Sequence, residues 1–123
     1  MKIFIVIGVF AMAVGVVLGA FGAHGLKTRI EPNLLAAYQT GVEYHLYHAL
    51  GLILIGLLAY QFPDVSALKW GAWCLMWGVL LFSGSLYLMA ITGIRWLGAI
   101  TPLGGTAFII GWVWIGWALI RSA

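Results

Sequence analysis

The sequence predicts an all-α protein: a four-helix transmembrane bundle with its N and C termini on the same side of the membrane. Three observations predict it. Of the 123 residues, 64% are hydrophobic and only 7% are charged, whereas a soluble domain carries about 25% charged residues. Four apolar stretches are each long enough to cross a bilayer, which takes roughly 20 residues. The turns between them are short, so neighbouring helices run antiparallel. One small polytopic domain, residues 1–123, accounts for the chain. The net charge of +3 is scattered and forms no basic patch, which argues against nucleic-acid binding.

The first helix is expected at about 3–24. Lys2 precedes the apolar run Ile3–Ala23. A signal peptide also starts this way, and Ala20-Phe21-Gly22 resembles a cleavage site, but the run exceeds the roughly 7–15 residues of a signal h-region. Gly25 reads as the C-cap. Pro32 and Asn33 mark a helix start. The segment 33–40 is expected to lie at the interface until Gly41 lets the chain turn inward, so the second membrane helix is placed at 41–61. Phe62-Pro-Asp-Val-Ser66 is a turn, and helix three follows at 67–91. After the loop Thr92–Ile100, Thr101 reads as an N-cap and Pro102 as the first position of helix four, 102–120. Trp70, Trp96 and Trp117 fall near helix ends, where an aromatic belt is expected. Lys2, Lys69 and Arg121 face Lys27, Arg29 and Arg95 across the membrane, so the positive-inside count is even and sets no orientation. Cys74 is the single cysteine; it has no internal disulfide partner and reads as a small buried residue.

Each helix carries a face of small side chains. Helix one places Gly8, Ala11, Gly15 and Gly22 together, with Gly15 and Gly19 as a tight-approach pair. Helix three places Gly71, Cys74, Gly78, Ser85 and Thr92 on one face, and helix four Gly104, Ala107, Gly111 and Ala118. Lipid tails are as apolar as leucine, so helices associate in a bilayer through close contact, and small residues permit it. Helix two aligns Gly41, His45, His48, Leu52, Ile55 and Ala59. The inference is that this histidine face points into the bundle.

Ionisable groups enter the apolar sequence at Thr40-Gly-Val-Glu-Tyr-His-Leu-Tyr-His-Ala49. The topology brings His24, Glu43, Tyr44, His45, Tyr47, His48, Ser85, Tyr87 and Thr101 to one half of the bundle, where they are expected to form a polar cluster near a wet interface. His45 and His48 lie about 60° apart around the helix, and Glu43 about 140–160° from them. Glu43 then sits in the first turn of helix two, solvated or paired with Arg29. Candidate metal ligands are His24, His45 and His48, because imidazole is the commonest side-chain ligand. His-x-x-His occurs once only, so the spacing is a weak signal. Haem between His24 and His48 is a further option. The same groups resemble intramembrane proton relays. The plainer account is that they hydrogen-bond one another and lock the helices together.

Four words of sequence resemble one family: Gly19-Ala-Phe-Gly-Ala-His-Gly25, Thr40-Gly-Val-Glu-Tyr-His-Leu-Tyr-His-Ala49, Gly84-Ser-Leu-Tyr87 and Ile100-Thr-Pro-Leu-Gly-Gly105. Together they are similar to the small bacterial inner-membrane family known as domain of unknown function 423, of YgdD type. The resemblance covers essentially the whole chain. It implies a four-helix protein of the cytoplasmic membrane, and it implies no activity and no catalytic residues.

No nucleophile–base–acid set and no phosphate loop is visible. The expected role is therefore a non-catalytic membrane component that binds or assists a membrane protein or a lipid. The alternatives are a small proton- or cation-linked transporter or channel, and a membrane metal-binding protein. The sequence names no cofactor. The transporter or channel would act as a homo-oligomer, because four thin helices enclose little volume, with Gly15 and Gly19 as a spare tight face; a membrane lipid or another membrane protein is the other partner weighed.

Overall fold

The computed structural model describes residues 1–122. Four helices run through them: α1 (Lys2–Phe21), α2 (Pro32–Gln61), α3 (Ala67–Thr92) and α4 (Thr101–Arg121). A single π turn, Gly22–Leu26, extends α1, and a 3-10 segment, Arg95–Ala99, leads into α4. All four are long and apolar enough to cross a membrane. The helices alternate in direction, so α1 begins and α4 ends on the same side.

The packing is strongest between α1 and α2, α2 and α3, and α3 and α4. α2 and α3 form the central pair, and α1 and α4 lie against it on opposite flanks. Phe4 of α1 reaches Trp73 of α3 edge-on at 5.5 Å, and Phe108 of α4 stacks on His48 of α2. The half nearest the termini is sealed by an apolar cluster that includes Phe4, Leu52, Ile55, Leu68, Leu75, Phe108 and Ile115.

The small-residue faces make these contacts. A Cβ at Gly8 would stand 2.7 Å from the Ala49 carbonyl oxygen, and one at Gly78 would stand 3.1 Å from the Gly104 carbonyl oxygen. Gly71 and Gly111 face each other in the same way, each 3.2–3.4 Å from the other's carbonyl. Ala107 and Ala118 are half-buried beside this seam, whereas Thr92 is exposed and lies off it.

Four expectations need correction. Gly25 does not cap α1: the helix passes into the π turn, and the one glycine with positive φ is Gly93, at the end of α3. The Tyr38 hydroxyl donates to the Leu18 carbonyl about one turn before this π turn. Gly41 does not break α2, which is one continuous helix from Pro32, so no separate interfacial helix exists at 33–40. Gly41 serves close approach instead, because a Cβ there would meet the Tyr87 ring at 3.1 Å. Thr101 does not cap α4: it lies inside the helix, and its hydroxyl pairs with Ser85 Oγ at 2.6 Å. Gly15 and Gly19 are not spare, since they face Leu46 and Val42 of α2.

The continuous α2 resets the depth of the polar residues. At about 1.5 Å per residue it is roughly 45 Å long, against roughly 30 Å of hydrocarbon. His45 and His48 straddle its midpoint, each about 2 Å away along the axis, and Glu43 lies only about 5 Å from it. These residues therefore sit near the middle of the span and not at a wet interface. The charged end of α2 is marked by Glu31, whose carboxylate accepts from Arg95 at 2.5 Å. Both side chains are exposed, Arg95 at 61% and Glu31 at 48%, so this pair contributes at most about 1 kcal/mol.

Candidate functional site

α2 positions the site because a strict alternation of three- and four-residue steps carries Tyr38, Gly41, His45, His48 and Leu52 along one face. All five are buried. That face meets α1 and α3 first and α4 further along.

His45 is 6% exposed. Its Nε2 lies 2.8 Å from the Ala11 carbonyl on α1, and its Nδ1 lies 2.8 Å from the Tyr87 hydroxyl on α3. A carbonyl can only accept, so Nε2 carries the hydrogen and Nδ1 accepts from Tyr87. One ring thus joins three helices. Ser83 sits just beyond, fully buried, and donates to the Gly41 carbonyl at 2.6 Å. Tyr38 packs against Tyr87 with ring centroids 5.3 Å apart.

His48 is 6% exposed and is held the other way round. Its Nδ1 lies 2.8 Å from the Tyr44 carbonyl, and its Nε2 lies 3.0 Å from Trp112 Nε1 on α4. The indole N–H can only donate. Nδ1 therefore carries the hydrogen, Nε2 accepts, and both contacts are satisfied only by the neutral ring. Phe108 covers the imidazole at 3.6 Å between centroids and 10° between planes.

The predicted cluster is therefore three separate locks: His45 with Tyr87, His48 with Trp112, and Ser85 with Thr101. Every buried side-chain nitrogen and oxygen among the described residues has a hydrogen-bond partner. His24 does not join them. It is exposed in the π turn, 13 residues and so about 20 Å along the helix from Ala11, the level of His45. Glu43 and Tyr47 point outward from α2, with Tyr47 58% exposed. Glu43 has no pairing with Arg29, and the one ion pair among the described residues is Glu31–Arg95. Tyr44 lies between the two classes: its ring stacks on His48 and Phe108.

The metal and haem options lose their geometry. No group of three or more His, Cys, Asp or Glu converges among the described residues, and both ring nitrogens of His45 and of His48 are already engaged by protein atoms.

Three participants were not singled out from the sequence. Tyr38 lies one heptad before His45 on the same face, a signal that extending the stripe past Gly41 would have found. Trp112 lies eight residues after Gly104, near the seam of α4. Ser83 is flanked by nothing in the sequence that marks it.

Two grooves open from the site to the outside on opposite flanks. One, of about 610 Å³, lies between α2, α3 and α4 and is lined by Tyr44, His48, Phe82, Gly105, Phe108 and Trp112, among others. The other, of about 230 Å³, lies between α1, α2 and α3 with His45 at its floor.

A family model described as "Protein of unknown function (DUF423)" matches residues 18–105, most of the chain. The chain belongs to the DUF423 family. Its relatives match it over most or all of their length. The "UPF0382 membrane protein YwdK" of Bacillus subtilis is 47% identical over 121 residues, 98% of each chain. A "UPF0382 membrane protein" of Staphylococcus epidermidis is 42% identical over 123 residues, 100% of this chain and 99% of the relative. The "UPF0382 membrane protein SH2409" of Staphylococcus haemolyticus is 45% identical over 113 residues, 92% of this chain and 91% of the relative. No solved structure matches. This DUF423 chain is thus a multi-pass membrane protein, and the matched segment contains His24, Glu43, both buried histidines, Tyr87 and Thr101, while the partners Ala11 and Trp112 lie outside it.

Proposed function

We propose that the chain is a non-catalytic component of the cytoplasmic membrane that holds a membrane lipid tail in the groove between α2, α3 and α4. One observation carries this reading: the groove measures about 610 Å³ and is walled by Tyr44, Phe82, Phe108 and Trp112. That volume falls within the roughly 300–1,000 Å³ of small-molecule sites. The polar atoms at its floor are already paired to each other through His48 and Trp112, so the groove offers an occupant apolar contact and little else. The grooved wall lies close to the middle of the span, the level of acyl chains.

Gly105 gives the test. A Cβ there would stand 3.7 Å from the Phe82 ring, an ordinary contact, so a larger side chain enters the groove without forcing α3 and α4 apart. Wild type washed in detergent is expected to retain a stoichiometric lipid by native mass spectrometry. Gly105→Leu is expected to lose it while keeping the thermal midpoint of delipidated wild type. Equal retention by the two proteins removes the groove from consideration.

A proton-linked transporter is favoured by one feature. His45 can take a second proton without losing a partner, because the Tyr87 hydroxyl can turn from donor to acceptor. Against this stands the sealed apolar cluster beneath it, which leaves no polar path to the terminal side among the described residues. Proteoliposomes carrying wild type are expected to show no proton flux above empty vesicles. Flux that disappears in His45→Ala/His48→Ala would replace the lipid reading with this one.

A further inference from the structure

We infer that the outward face of α2 around Glu43 is an interface between two copies of this chain. Glu43 is exposed on the surface of the bundle, yet it lies about 5 Å from the midpoint of a membrane helix. It has no cation: the ion pair among the described residues is at Glu31, 12 residues away. A charged side chain at such a depth is costly, and acidic residues in spans almost always face protein or a water-filled cavity. On a single copy Glu43 faces neither, so the missing surface lies outside the chain.

The occupant follows from what surrounds the carboxyl. Gln39 and Tyr47 sit one turn above and one turn below it, both exposed on the same face. The amide and the phenol each supply a hydrogen-bond donor to a carboxylate. In a two-fold contact between parallel α2 helices the two Glu43 carboxyls lie level with each other, and each comes within a turn of the partner's Gln39 and Tyr47, so the paired acceptors are bracketed by donors from both copies. A second copy is therefore self-complementary here. A lipid tail brings no donor at this depth. The shallow groove of about 260 Å³ lined by Gly19, Tyr38, Gln39, Val42 and Glu43 gives the crossing helix room beside α1. Further along, the same face continues as Leu50, Leu54 and Leu57, all exposed, in the 3–4 spacing of a packing seam.

Cysteine crosslinking in intact membranes tests this, in a Cys74→Ala background that removes the one native thiol. Glu43→Cys and Tyr47→Cys are expected to form disulfide-linked dimers of twice the chain mass. Phe10→Cys and Ile109→Cys, exposed on the two flanking helices, are expected to stay monomeric. Because Glu43→Cys removes the carboxyl itself, dimerisation is measured separately by energy transfer between labelled full-length chains. Glu43→Gln is expected to keep the dimer, and Glu43→Leu to weaken it about tenfold while raising or preserving the monomer's thermal midpoint. Crosslinking at Phe10 or Ile109 and not at Glu43 overturns the proposal. So does an adduct whose mass is that of a different protein, or an affinity that Glu43→Leu leaves unchanged.

Discussion

Gly104→Leu is expected to abolish the folded state, and Gly104→Ala to cost about 3 kcal/mol, the upper end of the overpacking range. The reason lies in what the new atom would meet. At most glycines of this bundle a Cβ runs into the end of a side chain, which can rotate away. At Gly104 it runs into the backbone nitrogen of Phe82 and its Cα, the latter at 2.7 Å. Nothing there moves unless α3 and α4 separate. Separation also withdraws Phe108 from His48 and breaks the Ser85–Thr101 pair one turn away. Gly116 on the same helix is the control, because a Cβ there meets nothing within 4 Å. Gly116→Ala is expected to be neutral or to stabilise by up to about 1 kcal/mol through helix propensity. Denaturant titration in detergent, followed by tryptophan fluorescence, measures both. A Gly104→Ala midpoint within error of Gly116→Ala would mean that the tight crossing of α3 and α4 is wrong.

That contrast also shows which features were legible in the sequence. Heptad-spaced glycines on α3 and α4 mark a seam because nothing else in a bilayer rewards a missing side chain, and Gly71, Gly78, Gly104 and Gly111 all lie in it. The inward histidine face of α2 was readable for the same reason: its neighbours at three and four residues are small or apolar. The helix start at Pro32 was readable, but the continuity of α2 through Gly41 was not. Gly41 invites a break, and only the ring of Tyr87 pressed against it explains why a glycine is needed in an unbroken helix. Reading a break at Gly41, nine residues after Pro32, shifts the depth of every polar group on α2 and puts Glu43 at an interface it does not reach.

Side-chain partners were the least legible part. His48 and Trp112 are 64 residues apart, as are Glu31 and Arg95. Helix periodicity fixes which face a residue occupies, but it does not fix the axial register between two helices. Ser85 and Thr101 were both singled out, yet only the register of α3 against α4 tells that they touch. His24 failed for the converse reason. It shares a membrane side with the others, but the π turn leaves it exposed at the helix end.

His45→Leu is expected to cost about 3–5 kcal/mol. The substitution removes two hydrogen bonds at once, each worth about 1 kcal/mol net, and leaves the Tyr87 hydroxyl without its acceptor in a dry setting, a further penalty of about 1–3 kcal/mol. Tyr87→Phe leaves the Ala11 contact standing but strands His45 Nδ1 without its donor, so it is expected to cost about 1–3 kcal/mol. In the double variant the orphaned hydroxyl is gone, and its loss is expected to be smaller than the sum of the two by about 0.6 kcal/mol, the average between polar pairs in a membrane bundle, and by no more than about 1.7 kcal/mol. Strict additivity would sever the His45–Tyr87 bond. The same geometry makes a spectroscopic prediction that no stability measurement can mimic. His45 has its hydrogen on Nε2, facing the Ala11 carbonyl, and His48 has it on Nδ1, facing the Tyr44 carbonyl. Nitrogen NMR of the two rings is therefore expected to show opposite neutral tautomers, three residues apart on one helix. A common tautomer would require one ring to turn a lone pair toward a carbonyl oxygen, and the lock between α1, α2 and α3 or the one between α2 and α4 would be misassigned.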